Sequence, residues 1–129
     1  MSYEYFNPNP LARRVGDCAI RAISAALNID WDTAHDLVSD ASKWMANMPS
    51  ANEVIAAVLR KNGFYMSPLP PCPECYTVED FARENPVGVF VLLLNGHVVC
   101  IRDGRILDTW DSGDEVARFV FYRFYEEEE

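Results

Sequence analysis

Apolar residues recur at helical spacing along the first half of this chain and at strand spacing along the second. From Cys18 to Leu27, the positions Ile20, Ile23 and Leu27 fall at i, i+3 and i+7, with Ala19, Ala22, Ala25 and Ala26 between them. That pattern predicts a helix able to bury nearly its whole surface. Asp17, just after Gly16, is its expected N-cap. A second helix, capped by Asp30 or Asp32, carries Trp31, Ala34, Leu37, Val38, Ala41, Trp44 and Met45. A third runs through Val54, Ile55, Val58 and Leu59, opened by the capping box Ser50-Ala51-Asn52-Glu53 and stopped at Gly63. Thr77 caps a short fourth helix from Val78 to Glu84, which Asn85-Pro86 ends.

Beyond Pro86 the period changes. Val89 to Leu94 is an unbroken apolar run of strand length. Val98 to Arg102 and Arg105 to Trp110 flank Asp103-Gly104, a strong hairpin signal, and Phe119 to Tyr125 forms a last aromatic strand. The first sixteen residues, with Asn7-Pro8-Asn9-Pro10, read as loop, as does the stretch holding Pro68, Pro70, Pro71 and Pro73. No linker separates the halves. The expected architecture is one α+β domain over residues 1–125, with N-terminal helices packed on a C-terminal antiparallel sheet. An acidic tail, 126–129, follows.

Composition narrows the function classes. Half of the 129 residues are hydrophobic, enough for a real core, and no apolar run approaches a membrane span. The formal charge is −9, of which Glu126 to Glu129 supply four. With no Lys/Arg cluster, a nucleic-acid partner is not expected, because phosphate contacts need basic side chains. Nor is a membrane partner. The start of the chain shows no signal-peptide pattern, and four unevenly spaced cysteines make no disulfide scaffold. A reduced, cytoplasmic protein is therefore expected.

One of those cysteines has chemistry around it. Cys18 stands in the first turn of its helix, where unpaired N–H groups and the helix dipole favour a thiolate. His97 begins a strand. If Asp103-Gly104 is a two-residue loop, Arg102 opposes Arg105, Ile101 opposes Ile106 and Val99 opposes Asp108. His97 then opposes Trp110 and shares a face with Asp108, one diagonal step of roughly 7–8 Å away. The hairpin alone sets an acid beside an imidazole. Local geometry does not bring Cys18 to them.

The order of a helix-starting cysteine, a later strand histidine and an acid on the adjoining strand resembles the papain-like cysteine peptidase superfamily. Asp108-Thr109-Trp110 is similar to the Asn-Ser-Trp of papain. Asn9-Pro10, Arg14 to Ala22, Gly96-His97-Val98-Val99 and Asp108 to Gly113 also resemble small papain-fold proteins of gut bacteria and their phages. The resemblance implies a papain-like fold and a cysteine-dependent peptidase or isopeptidase without cofactor, acting on a peptide or protein. Cys18 would be nucleophile, His97 general base and acid, and Asp108 the residue orienting the imidazole, with Trp110 sheltering the site. The family's oxyanion-hole glutamine has no counterpart, since the chain contains no glutamine. Asn7, Asn9 and Arg13 are the candidate donors. Asp17 beside Cys18 opposes the helix dipole unless it turns away as the cap. The same triad would serve a transglutaminase-like acyltransferase, and a papain fold with a packing cysteine would serve as a binding protein.

The remaining candidates read as structural. Cys72-Pro73-Glu74-Cys75 has zinc or redox spacing, but no second C-x-x-C and no βαβ context accompany it. It is read as a proline-rich loop, and no metal site is expected. Asp111-Ser112-Gly113 reads as a turn, and His35 as a partly exposed helix residue.

Overall fold

The computed structural model describes residues 2–69 and 76–123. Helix α1 spans Cys18–Leu27, α2 Trp31–Met45, α3 Asn52–Lys61 and α4 Val78–Glu84. The strands are β1 Tyr3–Tyr5, β2 Tyr65–Pro68, β3 Val89–Leu94, β4 His97–Arg102, β5 Arg105–Asp108 and β6 Ala117–Tyr122. They form one sheet in the order β1-β5-β4-β3-β6-β2. The α+β class and all four helices agree with the hydrophobic pattern. No helix among the described residues is long and apolar enough to cross a membrane.

The strand alternation sorts the core into two halves. Val91, Leu93, Val98, Cys100 and Phe121 pack with α1, α2 and α3. Leu92, Val99, Ile101, Ile106 and Val120 pack with Val78 and Phe81 of α4 on the other side. Period-2 side chains on central strands can fill both faces only when both are covered, and here they are. Helix α1 lies against β4 and is flanked by α2. This packing carries the first turn of α1 to the end of the sheet where β4 begins.

The β4–β5 hairpin has the expected register, with Arg102 opposite Arg105, Ile101 opposite Ile106 and Cys100 opposite Leu107. Its turn places Asp103 at φ 52° and Gly104 at φ 78°, the pair of positive angles that a two-residue loop needs to match strand twist. Asp103 tolerates this because its carboxylate and N–H bond Gly88.

Several expectations need correction. The sheet is mixed rather than antiparallel, because β1 lies parallel to β5. Tyr3-Glu4-Tyr5 is too short to show a period, and its strand exists only through pairing with β5. Strand β2 falls in a stretch expected to be loop, and it is held by antiparallel pairing to β6. Strand β5 stops at Asp108, two residues before Trp110, where the chain bends. Neither Asp17 nor the Ser50 box makes a side-chain cap; Ala51 occupies the N-cap position of α3. Trp44, read with the apolar stripe of α2, is 85% exposed, because that helix buries only Ala34, Val38 and Ser42.

The caps give a stability test. Thr77 accepts from Asp80 N–H while Asp80 accepts from Thr77 N–H, a complete capping box on α4. Thr77→Ala is expected to lower the unfolding free energy by about 1 kcal/mol, and Ala51→Ser to raise it by about 0.5 kcal/mol. Urea denaturation at unchanged m-value measures both; equal stability of Thr77→Ala and the parent protein would contradict the assignment.

Candidate active site

Asp108 ends β5 with no solvent exposure and accepts four hydrogen bonds. Its Oδ1 receives Arg21 Nη2 at 3.0 Å and the Thr109 N–H at 2.8 Å. Its Oδ2 receives Ser112 Oγ at 2.8 Å and lies 2.8 Å from His97 Nε2. A carboxylate only accepts, so Nε2 carries the hydrogen. Strand β1 holds the backbone here as well: Phe6 N–H donates to the Asp108 carbonyl at 2.8 Å. A buried carboxylate with both oxygens fully satisfied has one place to sit, and it fixes the imidazole plane in turn.

With Nε2 engaged, Nδ1 is the ring nitrogen left for Cys18, and the imidazole and the thiol each shift the other's ionisation. The Val98 N–H also favours the ionised sulfur. Burial alone would push the Cys18 thiol above its ordinary 9.0. The hydrogen bond and charge of His97, the Val98 N–H and the charge of Arg21 outweigh that and hold it below. Burial opposes charge on His97 too, yet its bonds to Asp108 and Cys18 and their charges lift it from 6.5 to about 9. Asp108 is held below its ordinary 3.8 despite burial, by His97, Ser112 and the Thr109 N–H. The thiol is lowered and the imidazole raised, and both shifts run in the direction of thiolate and imidazolium. By contrast Cys100 is wholly buried, and its thiol is pushed up to about 12.

Each titration has a definite sign for stability. The depressed Asp108 stabilises the fold above pH 3.8, and that contribution is lost as pH falls through its folded value. The raised His97 stabilises it below pH 6.5, and that contribution is lost as pH rises through about 9.

A second layer stands behind the acid. Arg21, 4% exposed, donates Nη1 to Asp17 Oδ1 at 2.7 Å as well as Nη2 to Asp108. Trp31 Nε1 donates to Asp17 Oδ2 at 2.9 Å. Asp17 thus stands where a cap would, but its carboxylate serves a buried guanidinium, a stronger partner than a backbone N–H. Arg21, Ser112 and Trp31 were not among the expected site residues. A signal for Arg21 existed: it is the one charged residue in a helix that is apolar apart from Ser24, four positions after an aspartate.

Trp110 does flank the imidazole, with ring centroids 5.0 Å apart at 41°, and is 42% exposed. The three oxyanion candidates are elsewhere. Asn7 Nδ2 donates to the Arg13 carbonyl, and Asn9 Oδ1 accepts from the Leu11 and Arg13 N–H groups. They shape their own exposed loop, and none lines the cleft at Cys18. That cleft, about 210 Å³, is bounded by Gly16, Ile20, Val38, Ser50, Asn52 and Gly96 beside Cys18 and His97. Larger cavities, about 580 Å³ by Trp44 and about 500 Å³ by Arg102 and Arg105, bring no nucleophile and base together. Asp111 accepts from the Gly113 N–H in a turn, and His35 stacks on Trp31. Cys72 and Cys75 lie outside the described residues, among which no group of three or more His, Cys, Asp or Glu could hold a metal ion.

His97 titration tests this electrostatic account. Imidazole resonances followed by NMR are expected to titrate near pH 9, and in Asp108→Asn to move toward 6.5. An unshifted parent histidine would contradict it. No protein-family model matches this chain, and comparison with curated proteins and with solved structures gives no match either.

Proposed function

We propose that this protein is a papain-like thiol hydrolase that cleaves amide bonds, as a peptidase or isopeptidase. The observation that carries the reading is that Cys18 and His97 line one cleft and act on each other's ionisation, while His97 is bonded to the buried Asp108. Its support from the chain itself is the order of a helix-starting cysteine, a strand histidine and an acid on the paired strand.

The Cys18 thiolate attacks the amide carbonyl carbon, and the carbonyl electron pair moves onto oxygen. The first-turn N–H groups of α1 lack intrahelical acceptors and are the donors available to that oxyanion. As the C–N bond breaks, the His97 imidazolium gives its proton to the departing nitrogen, leaving a thioester on Cys18. Neutral His97 then takes a proton from water, whose oxygen attacks the thioester carbonyl. The C–S bond breaks, the carboxylic acid leaves and the thiolate is restored. Asp108 stays ionised and keeps the ring oriented throughout. An amine in place of water would turn the same intermediate to acyl transfer.

One observation favours a non-catalytic binding role instead: Asn7, Asn9 and Arg13, the donors expected for an oxyanion, do not line the cleft. Iodoacetamide separates the two. Cys18 is expected to alkylate well below pH 8 and to lose that reactivity by about tenfold or more in His97→Ala. Hydrolysis of a fluorogenic peptide amide is expected to be bell-shaped in pH. Its acid limb follows Cys18 protonation below 9.0, and its alkaline limb follows loss of the His97 proton near 9. Alkylation only above pH 8, indifferent to His97, would overturn the hydrolase reading.

A further inference from the structure

Asp17 presents an anomaly for any thiolate at Cys18. It places a buried carboxylate on the adjacent residue, where a negative charge opposes ionisation of the sulfur. The Arg21 guanidinium spans the gap between two acids, 2.7 Å from Asp17 and 3.0 Å from Asp108, all three groups nearly inaccessible to water. We propose that Arg21 is a positioning residue of the site, whose bridge between Asp17 and Asp108 neutralises the one and aligns the other so that Cys18 ionises. This rests on the reading of Cys18 as the nucleophile.

The chain of groups alternates in sign through the interior: Asp17, Arg21, Asp108, His97, Cys18. The other groups facing it are few. Trp31 Nε1 from α2 donates to Asp17, and Ser112 donates to Asp108. Tyr3 from β1 lies near enough to Asp108, Arg14 and Asp111 to feel their charges. Arg14 Nη2 is itself engaged by the Thr109 carbonyl at 2.6 Å. Arg21 is thus the cation bonded to both buried carboxylates. Its fork geometry suits this bridge, since each terminal nitrogen serves one acid. Without it, the carboxylate next in sequence to Cys18 has no cation bonded to it and Asp108 loses one of four bonds.

The pH profile of Cys18 alkylation in Asp17→Asn, Arg21→Met and the double variant tests this, with folding checked by circular dichroism. Arg21→Met is expected to raise the apparent thiol pKa by about one unit, read as about tenfold slower alkylation at pH 6. Adding Asp17→Asn is expected to restore much of that rate, which a merely structural arginine would not allow. Asp17→Asn alone leaves the Arg21 bond to Asp108 and is expected to lower the thiol pKa below the parent value. It keeps the test open should Arg21→Met not fold. An Asp17→Asn profile identical to the parent, or an Arg21→Met loss unrelieved in the double variant, would overturn the proposal. Parent alkylation that ignores His97→Ala would instead overturn the nucleophile reading itself.

Discussion

A full negative charge on Asp108, with no access to water, is the constraint around which this molecule is arranged. A carboxylate removed from water carries a desolvation penalty of several kcal/mol unless every lone pair finds a donor. The donors come from four separate places: Arg21 on α1, His97 on β4, the Thr109 backbone, and Ser112 in the following turn. Supplying them requires α1 to cross the sheet at one angle and the β4–β5 hairpin to hold one register. A one-residue slip in that hairpin would carry Asp108 to the opposite face and break the set. The buried acid therefore ties helix, hairpin and loop into a single geometry.

The same interaction sets the chemistry. Asp108 fixes the Nε2 hydrogen and so leaves Nδ1 toward the sulfur. Its charge raises the imidazole pKa, and the protonated ring lowers that of the thiol, so each member of the line tunes the next. Trp110 flanks one side of the ring, and Val38 of α2 with Asn52 and Ile55 of α3 lines the cleft beside Cys18. At about 210 Å³ it is smaller than most ligand pockets and has room for one side chain of a polymer rather than for a long bound segment.

Much of this was legible in the chain. Helix α1 begins at Cys18 and ends at Leu27, as its Ala/Ile pattern requires, and Asp103-Gly104 alone yields the register that puts His97 beside Asp108. Periodicity is a local property, and these are local facts. The meeting of Cys18 and His97, 79 positions apart, depends on how α1 lies on β4, which no window of sequence contains. Strands β1 and β2 were invisible for the same reason, since each is defined by its partner. Asp17 was misread because capping is the commonest local use of an aspartate before a helix. The competing partner, Arg21, was visible one turn later, and a buried guanidinium outranks a backbone cap.

The state of the Cys18 sulfur at neutral pH is the central claim, and thiolate ultraviolet absorbance reads it directly. In the difference between the parent protein and Cys18→Ser, a thiolate band is expected at pH 7, fading as pH falls and absent at pH 7 in His97→Ala. A band that emerges only around the ordinary thiol value of 9.0, unchanged by removal of His97, would contradict the account.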